Sequence, residues 1–172
     1  SMGYALPAAI GAYYAKLEKI YCITGDGSIM LNIQELSVIK GQSLPIVIFI
    51  LDNSGYHSIR QTQANYFPDI TVGCGPESGL YFPDFEKLVH GFGLESITLS
   101  TNQQIIDNLD YLINSKGPLV VILKMDLDKK FEPKVSGRKL EDGTMVTGRL
   151  EDMNPFLPRQ ELKNLLDEVL SI

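Results

Sequence analysis

The stretch Leu44-Pro45-Ile46-Val47-Ile48-Phe49-Ile50-Leu51-Asp52-Asn53-Ser54-Gly55 decides how the chain is read. From Ile46 to Leu51 every residue is apolar, with no polar alternation to mark a solvent face. A strand buried on both faces belongs in a parallel sheet sandwiched between helices. The run stops at Asp52-Asn53-Ser54-Gly55, turn formers throughout.

Upstream, Lys19 to Thr24 is β-branched and aromatic and breaks at Gly25-Asp26-Gly27. Ser28 to Gly41 then carries Ile29, Ile33, Leu36 and Ile39 near helical spacing. Downstream of a loop around Gly73 to Gly79, the order predicted is a helix over Phe82 to Phe92 and a strand over Leu94 to Leu99. A helix over Asn102 to Asn114 and a strand over Pro118 to Leu123 follow. Alternation of this kind specifies an α/β fold, a doubly wound parallel sheet with helices on both faces. Residues 1–124 are expected to form this domain, truncated at its N-terminus. Residues 125–172 are expected to be an irregular C-terminal arm and a helix of the same domain. Lys124 to Asp152 is charged and aperiodic, which reads as a solvated tail, the Lys124 to Lys134 cluster included. Glu161 to Leu170 carries Leu162, Leu165, Leu166 and Val169 as a stripe that reads as core packing.

With 172 residues, 44% of them hydrophobic, the chain suffices for one sizeable core. A net charge of −6 disfavours nucleic acid. No apolar run approaches the roughly 18 residues of a membrane span, so no membrane partner is expected. Cys22 and Cys74 form neither a disulfide framework nor a metal-ligand spacing, which predicts a reducing, cytoplasmic setting. Ser1 to Ala15 is apolar but has no positive charge ahead of it, so it reads as a buried helix rather than a leader. A chain that opens inside a helix is expected to be a fragment.

In an open parallel sheet, ligands bind at the carboxyl ends of the strands. Two polar strand ends, Gly25-Asp26-Gly27-Ser28 and Asp52-Asn53-Ser54-Gly55, lie one helix and one strand apart and so open on the same edge. Gly27 permits close backbone approach, and a helix starting at Ser28 favours an anion. A carboxylate beside that anion requires a cation between them. Asp26, the Asn53 amide oxygen and a carbonyl near Gly55 are the hard ligands that Mg²⁺ shares with phosphate oxygens.

The run from Gly25-Asp26-Gly27 to Asn53 resembles the thiamine diphosphate fingerprint. Met2-Gly3 with Leu6-Pro7-Ala8-Ala9-Ile10, Gln34-Glu35-Leu36, Leu44-Pro45-Ile46 and the tail Leu150 to Pro158 are similar to the acetolactate synthase large-subunit family, in its C-terminal diphosphate-binding domain. The resemblance implies Mg²⁺ on Asp26, Asn53 and the Gly55 carbonyl. It implies thiamine diphosphate on Met2, Gly25, Asp26, Gly27, Ser28, Asn53, Gly55 and Tyr56, with the Met2 backbone at the aminopyrimidine. The chemistry implied is decarboxylation of a 2-oxo acid and ligation of the resulting carbanion to an acceptor, by a carboligase of transferase or lyase type. No catalytic residue is expected in this chain. The activating Glu of the family sits on a pyrimidine-binding domain, and FAD often sits on a middle domain, both upstream. Glu35 and Glu77 are not substitutes, so the isolated chain is expected to be inactive. A homo-oligomer is expected.

Asp52 stands where the family has its first Asn, and Thr62 and Ser58 stand where acetolactate synthases carry Trp and Met. The latter pair predicts a roomier, more polar acceptor pocket. His57 reads equally as a proton shuttle and as a packed or solvent-facing imidazole, His90 as surface. Arg60 reads as a structural ion pair ahead of a substrate-carboxylate contact. Two alternatives stay open: a nonenzymatic Mg²⁺-phosphate or nucleotide-binding module, and a simple 2-oxo acid decarboxylase. The absence of Gly-x-Gly-x-x-Gly and of a Walker lysine weighs against ordinary nucleotide sites.

Overall fold

The computed structural model describes all residues except 17, 68, 128, 140, 141, 171 and 172. It divides into two compact units, residues 1–129 and 130–172.

The first unit is built on four parallel strands, β1 (Ile20–Gly25), β2 (Ile46–Asp52), β3 (Glu95–Leu99) and β4 (Leu119–Lys124), in the order β1-β2-β4-β3. The helices are α1 (Ala5–Tyr14), α2 (Asp26–Ile29), α3 (Glu35–Gly41), α4 (His57–Tyr66), α5 (Phe85–Gly91), α6 (Asn102–Asp107) and α7 (Leu109–Asn114). Strand side chains alternate between the faces. Ile46, Ile48 and Ile50 of β2 point to one side with Cys22, Val120 and Ile122. There they meet Leu6 and Ala9 of α1, Leu36 and Ile39 of α3, and Phe85 and Val89 of α5. Val47 and Val121 point to the other side, against Leu112 of α7. The connections β1 to β2 and β2 to β3 run one way along the sheet, and β3 to β4 runs back. Right-handed crossovers then demand that α7 lie on the face opposite α3 and α5, as it does. Both faces of β2 are closed, as its unbroken apolar run requires.

Several elements depart from the sequence pattern. The helix expected from Ser28 to Gly41 starts two residues earlier, at Asp26, and is broken. α2 passes into a 3₁₀ turn over Met30–Asn32, and α3 begins only at Glu35. Asn32 leaves the helical pattern to donate its side-chain amide to the Gly3 carbonyl at 2.7 Å. The helix predicted over Phe82 to Phe92 starts at Phe85, because the Asp84 carboxylate accepts from the amides of Glu86 and Lys87 and caps it there. The helix predicted over Asn102 to Asn114 is interrupted at Asn108, whose side chain donates to the Gln104 carbonyl. α4 has no counterpart in the sequence reading. Its sequence, His-Ser-Ile-Arg-Gln-Thr-Gln-Ala-Asn-Tyr, has no apolar stripe, and His57 is its one fully buried residue.

The second unit holds a two-residue antiparallel pair, β5 (Arg138–Lys139) with β6 (Met145–Val146), and the helix α8 (Arg159–Leu170). Lys134 and Asn154 exchange backbone hydrogen bonds of 2.9 and 2.8 Å. Arg159 grips Asp152 with both terminal nitrogens, at 2.6 and 2.9 Å, and lies over the Phe156 ring. The segment read as a solvated tail therefore carries some regular structure. Asp128, in the charged cluster, lies outside the described residues. On α8, Leu162 and Leu166 are half-buried, whereas Leu165 and Val169 are exposed. The stripe predicted to be core is only half covered within this unit.

Candidate functional site

β1 and β2 are adjacent and in register, with Gly25 opposite Leu51, so their carboxyl-end loops emerge side by side. Asp26 is 2% exposed. Its Oδ2 accepts from the amides of Asn53 (3.1 Å) and Gly55 (2.9 Å), and its Oδ1 from the amide of Gly27 (2.7 Å). One carboxylate thus ties the two strand ends together. Burial pushes the Asp26 carboxyl above its ordinary range. The amides of Gly55 and Gly27 pull it back, the negative charge of Asp52 raises it again, and the Asn53 amide lowers it least. Asn53 is nearly as enclosed, and its Oδ1 is buried with no hydrogen-bond partner among the described residues. A buried acceptor left unsatisfied is costly and calls for an explanation. A hard cation between Asp26 and Asn53 supplies one, since an amide oxygen and a carboxylate are what such a cation seeks. Among the described residues no group of three or more His, Cys, Asp and Glu could hold a metal.

The rest of the predicted set lies around this pair. The Gly3 amide donates to Ser28 Oγ at 3.0 Å, and its carbonyl accepts from Asn32. Gly3 has φ +79°, and a Cβ there would meet Leu31 Cβ at 2.9 Å, so only glycine fits. These bonds hold Met2, itself exposed, beside the start of α2. A Cβ on Gly27 would lie 2.3 Å from the Tyr56 ring, which covers that glycine and packs edge-on against Phe82. The Gly55 carbonyl accepts from the His57 amide at 3.1 Å. Asp52 pairs with Lys124 from β4, and its Oδ1 accepts from the Ser54 amide. Glu35, at the first turn of α3, takes no part, and Glu77 lies in the loop beyond α4. Ser58 and Thr62 are both exposed on α4, the Thr62 hydroxyl donating to the Ser58 carbonyl at 2.8 Å. His57 is buried at the start of α4, and His90 is exposed with Nε2 3.0 Å from Ser96 Oγ. Burial pushes the Cys22 thiol up to about 11, which keeps it protonated and inert.

Two supports of the site were not evident in the sequence. Cys74, in the Gly-rich loop, offers its carbonyl to the Tyr56 amide at 2.9 Å. Arg60, read from the sequence as a structural ion pair, does lie 3.7 Å from Glu77 Oε1, and beyond that reading it donates to the carbonyls of Asn53, Ser54 and Cys74. Nothing in residue type or spacing announces that one guanidinium gathers backbone carbonyls from two loops.

Fold and site together define a doubly wound α/β domain that presents a buried carboxylate and an orphan amide oxygen at one carboxyl-end edge. The chain belongs to the family described as thiamine pyrophosphate enzyme, C-terminal TPP binding domain, whose pattern matches residues 1–123. It is 35% identical over 127 residues to the acetolactate synthase isozyme 2 large subunit of Escherichia coli (strain K12), covering 73% of this chain and 23% of that protein. It is 33% identical over 143 residues to the probable acetolactate synthase large subunit of Methanococcus aeolicus, covering 81% of this chain and 23% of that one. The thiamine diphosphate-dependent 4-hydroxybenzoylformate decarboxylase of Rhodococcus jostii RHA1 superposes with a TM-score of 0.65 at 25% identity, over 75% of this chain and 24% of that one. The chain spans about a quarter of the length of these relatives. It is a thiamine-pyrophosphate-binding domain related to the acetolactate synthases.

Proposed function

We propose that this domain holds the diphosphate of thiamine diphosphate through Mg²⁺, within an enzyme that decarboxylates a 2-oxo acid and ligates the product carbanion to an acceptor. The observation that carries the reading is the orphan Oδ1 of Asn53 beside the buried carboxylate of Asp26. Asp26, Asn53 and the Gly55 carbonyl would hold the cation, and Gly25, Gly27, Ser28 and Tyr56 would line the diphosphate. Met2 would present backbone to the aminopyrimidine. The bound cofactor supplies the carbanion-stabilising centre. This chain's residues bind and orient. Asp26 would do so as a carboxylate, three amides offsetting part of the cost of its burial. Proton activation falls to a glutamate on a pyrimidine-binding domain elsewhere in the complete enzyme. We assign a middle domain, with or without FAD, and a second copy of the chain to the same assembly, in the cytoplasm.

Thermal unfolding tests the reading. Thiamine diphosphate with Mg²⁺ should raise the Tm of the 172-residue chain, and ATP or NAD with Mg²⁺ should not. Protection by ATP alone would transfer the site to a nucleotide module. The likeness to a decarboxylase favours a second reading, release of the aldehyde without ligation. The complete enzyme supplied with a 2-oxo acid and an acceptor distinguishes the two by whether a new carbon–carbon bond appears in the product.

A further inference from the structure

We propose that Arg60 is the positioning residue of the cation site, a guanidinium clamp that fixes the Asn53–Gly55 loop and couples it to the loop around Cys74. The proposal rests on the assignment of Asp26 and Asn53 as cation ligands. Arg60 Nη1 donates to the Asn53 carbonyl at 3.3 Å, and Nη2 donates to the carbonyls of Ser54 (3.2 Å) and Cys74 (3.3 Å). Nε lies 3.7 Å from Glu77 Oε1. Three backbone acceptors from two loops converge on one planar fork, a geometry that the point charge of lysine does not reproduce.

The loop needs such a tie. Ser54 sits at φ +56° and Gly55 at φ +146°, successive conformations that an unsupported chain adopts at a cost. They aim the amides of Asn53 and Gly55 at Asp26 and set the Asn53 side chain and the Gly55 carbonyl in place. A Cβ on Gly55 would fall 2.1 Å from the Cys74 carbonyl oxygen, so the two loops are in direct contact at the glycine. The Tyr56 amide bonds the same carbonyl, and the Cys74 and Gly75 amides are held in turn by Ser78 Oγ. Arg60 closes this arrangement from the α4 side. It touches no cation ligand atom; it acts through the backbone that carries them. Coupling is reciprocal, so a cation that orders the Asn53 loop also orders the Cys74 loop.

The test compares the full chain with Arg60→Lys, Arg60→Met and, as a control for the ion pair, Glu77→Gln. Amide hydrogen exchange without any ligand is the first measurement. Arg60→Met should lose about tenfold or more protection at Gly55 and Tyr56, with β2 and β4 unchanged. Arg60→Lys should recover only a minor part of it, and Glu77→Gln should behave as wild type. The second measurement is the Mg²⁺ midpoint at saturating thiamine diphosphate, which should rise about tenfold in Arg60→Met and less in Arg60→Lys, at similar Tm. Wild-type protection in Arg60→Met overturns the clamp. Lost protection with an unchanged Mg²⁺ midpoint overturns its link to the cation. Full recovery by lysine overturns the fork argument. A wild-type chain that binds neither Mg²⁺ nor thiamine diphosphate defeats the cation assignment, and with it the link to Arg60, while exchange alone still decides the loop-ordering role. Should Arg60→Met fail to fold, Arg60→Lys carries both measurements.

Discussion

Residues 1–129 and 130–172 draw on the same apolar alphabet and use it differently. In the first, Ile46, Val47, Ile48 and Ile50 are wholly enclosed between helices. In the second, Leu150 is 79% exposed and Val169 66%. Four paired strands give a sheet two apolar faces; α1, α3 and α5 close one, and α7 covers the other over β2 and β4 but not over β1. A two-residue strand pair has no such face, and a single helix has nothing broad to lie on. The second unit is instead held by polar latches, the Arg159–Asp152 fork and the Lys134–Asn154 bonds. A surface ion pair such as the Arg159–Asp152 fork contributes little by itself. Among the described residues, every apolar side chain of the buried core lies in the first region.

Hydrogen exchange gives the widest expected contrast. Amides of β2 and β4 should exchange only through global opening, on the order of a thousandfold more slowly than those of β5 and β6. Equal protection would break the comparison. The site itself is next. Asp26→Ala should weaken Mg²⁺-dependent thiamine diphosphate binding about a hundredfold or more by calorimetry, with the circular dichroism spectrum retained; unchanged affinity would remove Asp26 from the site. Packing comes third. Ile48→Ala should cost about 2–5 kcal/mol in urea denaturation, and Leu166→Ala in the second unit well under half of that. A loss from Leu166→Ala as large as that from Ile48→Ala would show a core there that exposure does not reveal.

The smallest effect is a pH dependence. Burial raises the Asp26 pKa in the folded domain above its unfolded value. Between the two values the folded state binds more protons than the unfolded, so stability without cation falls as pH rises through that window. Cation binding needs the carboxylate and is lost as pH falls through the raised value. A Mg²⁺ affinity profile should therefore turn over above the ordinary aspartate value of about 3.9. A midpoint at or below it would show that the amides outweigh burial.

Much of the first unit was legible because burial writes itself into sequence. The apolar runs at Ile46 to Leu51 and Pro118 to Leu123 read as interior strands, and the polar strand ends at Asp26 and Asn53, one αβ unit apart, read as opening on one edge. α4 was illegible for the opposite reason: with His57 as its one buried residue, its helical period leaves no hydrophobic trace. The break in the helix after Ile29 was hidden too, since it serves a bond from Asn32 to a backbone oxygen nearly thirty residues away. Sequence period reports packing faces; it is silent about backbone acceptors, and the support of this site is made of them.

β1 has a further consequence, in colloidal terms. Among the described residues it pairs only with β2, leaving its outer margin open, and Ile23 on its uncovered face is 67% exposed. Open strand margins recruit other strands, and natural proteins guard them with charge. Here the guard is Lys19, whose ammonium lies 5.1 Å from the Tyr21 ring centre and donates to the Ile113 carbonyl. Neutralising that lysine would strip a positive charge from beside the exposed Tyr21 and Ile23, and the solubility limit of the domain would fall before its fold was touched.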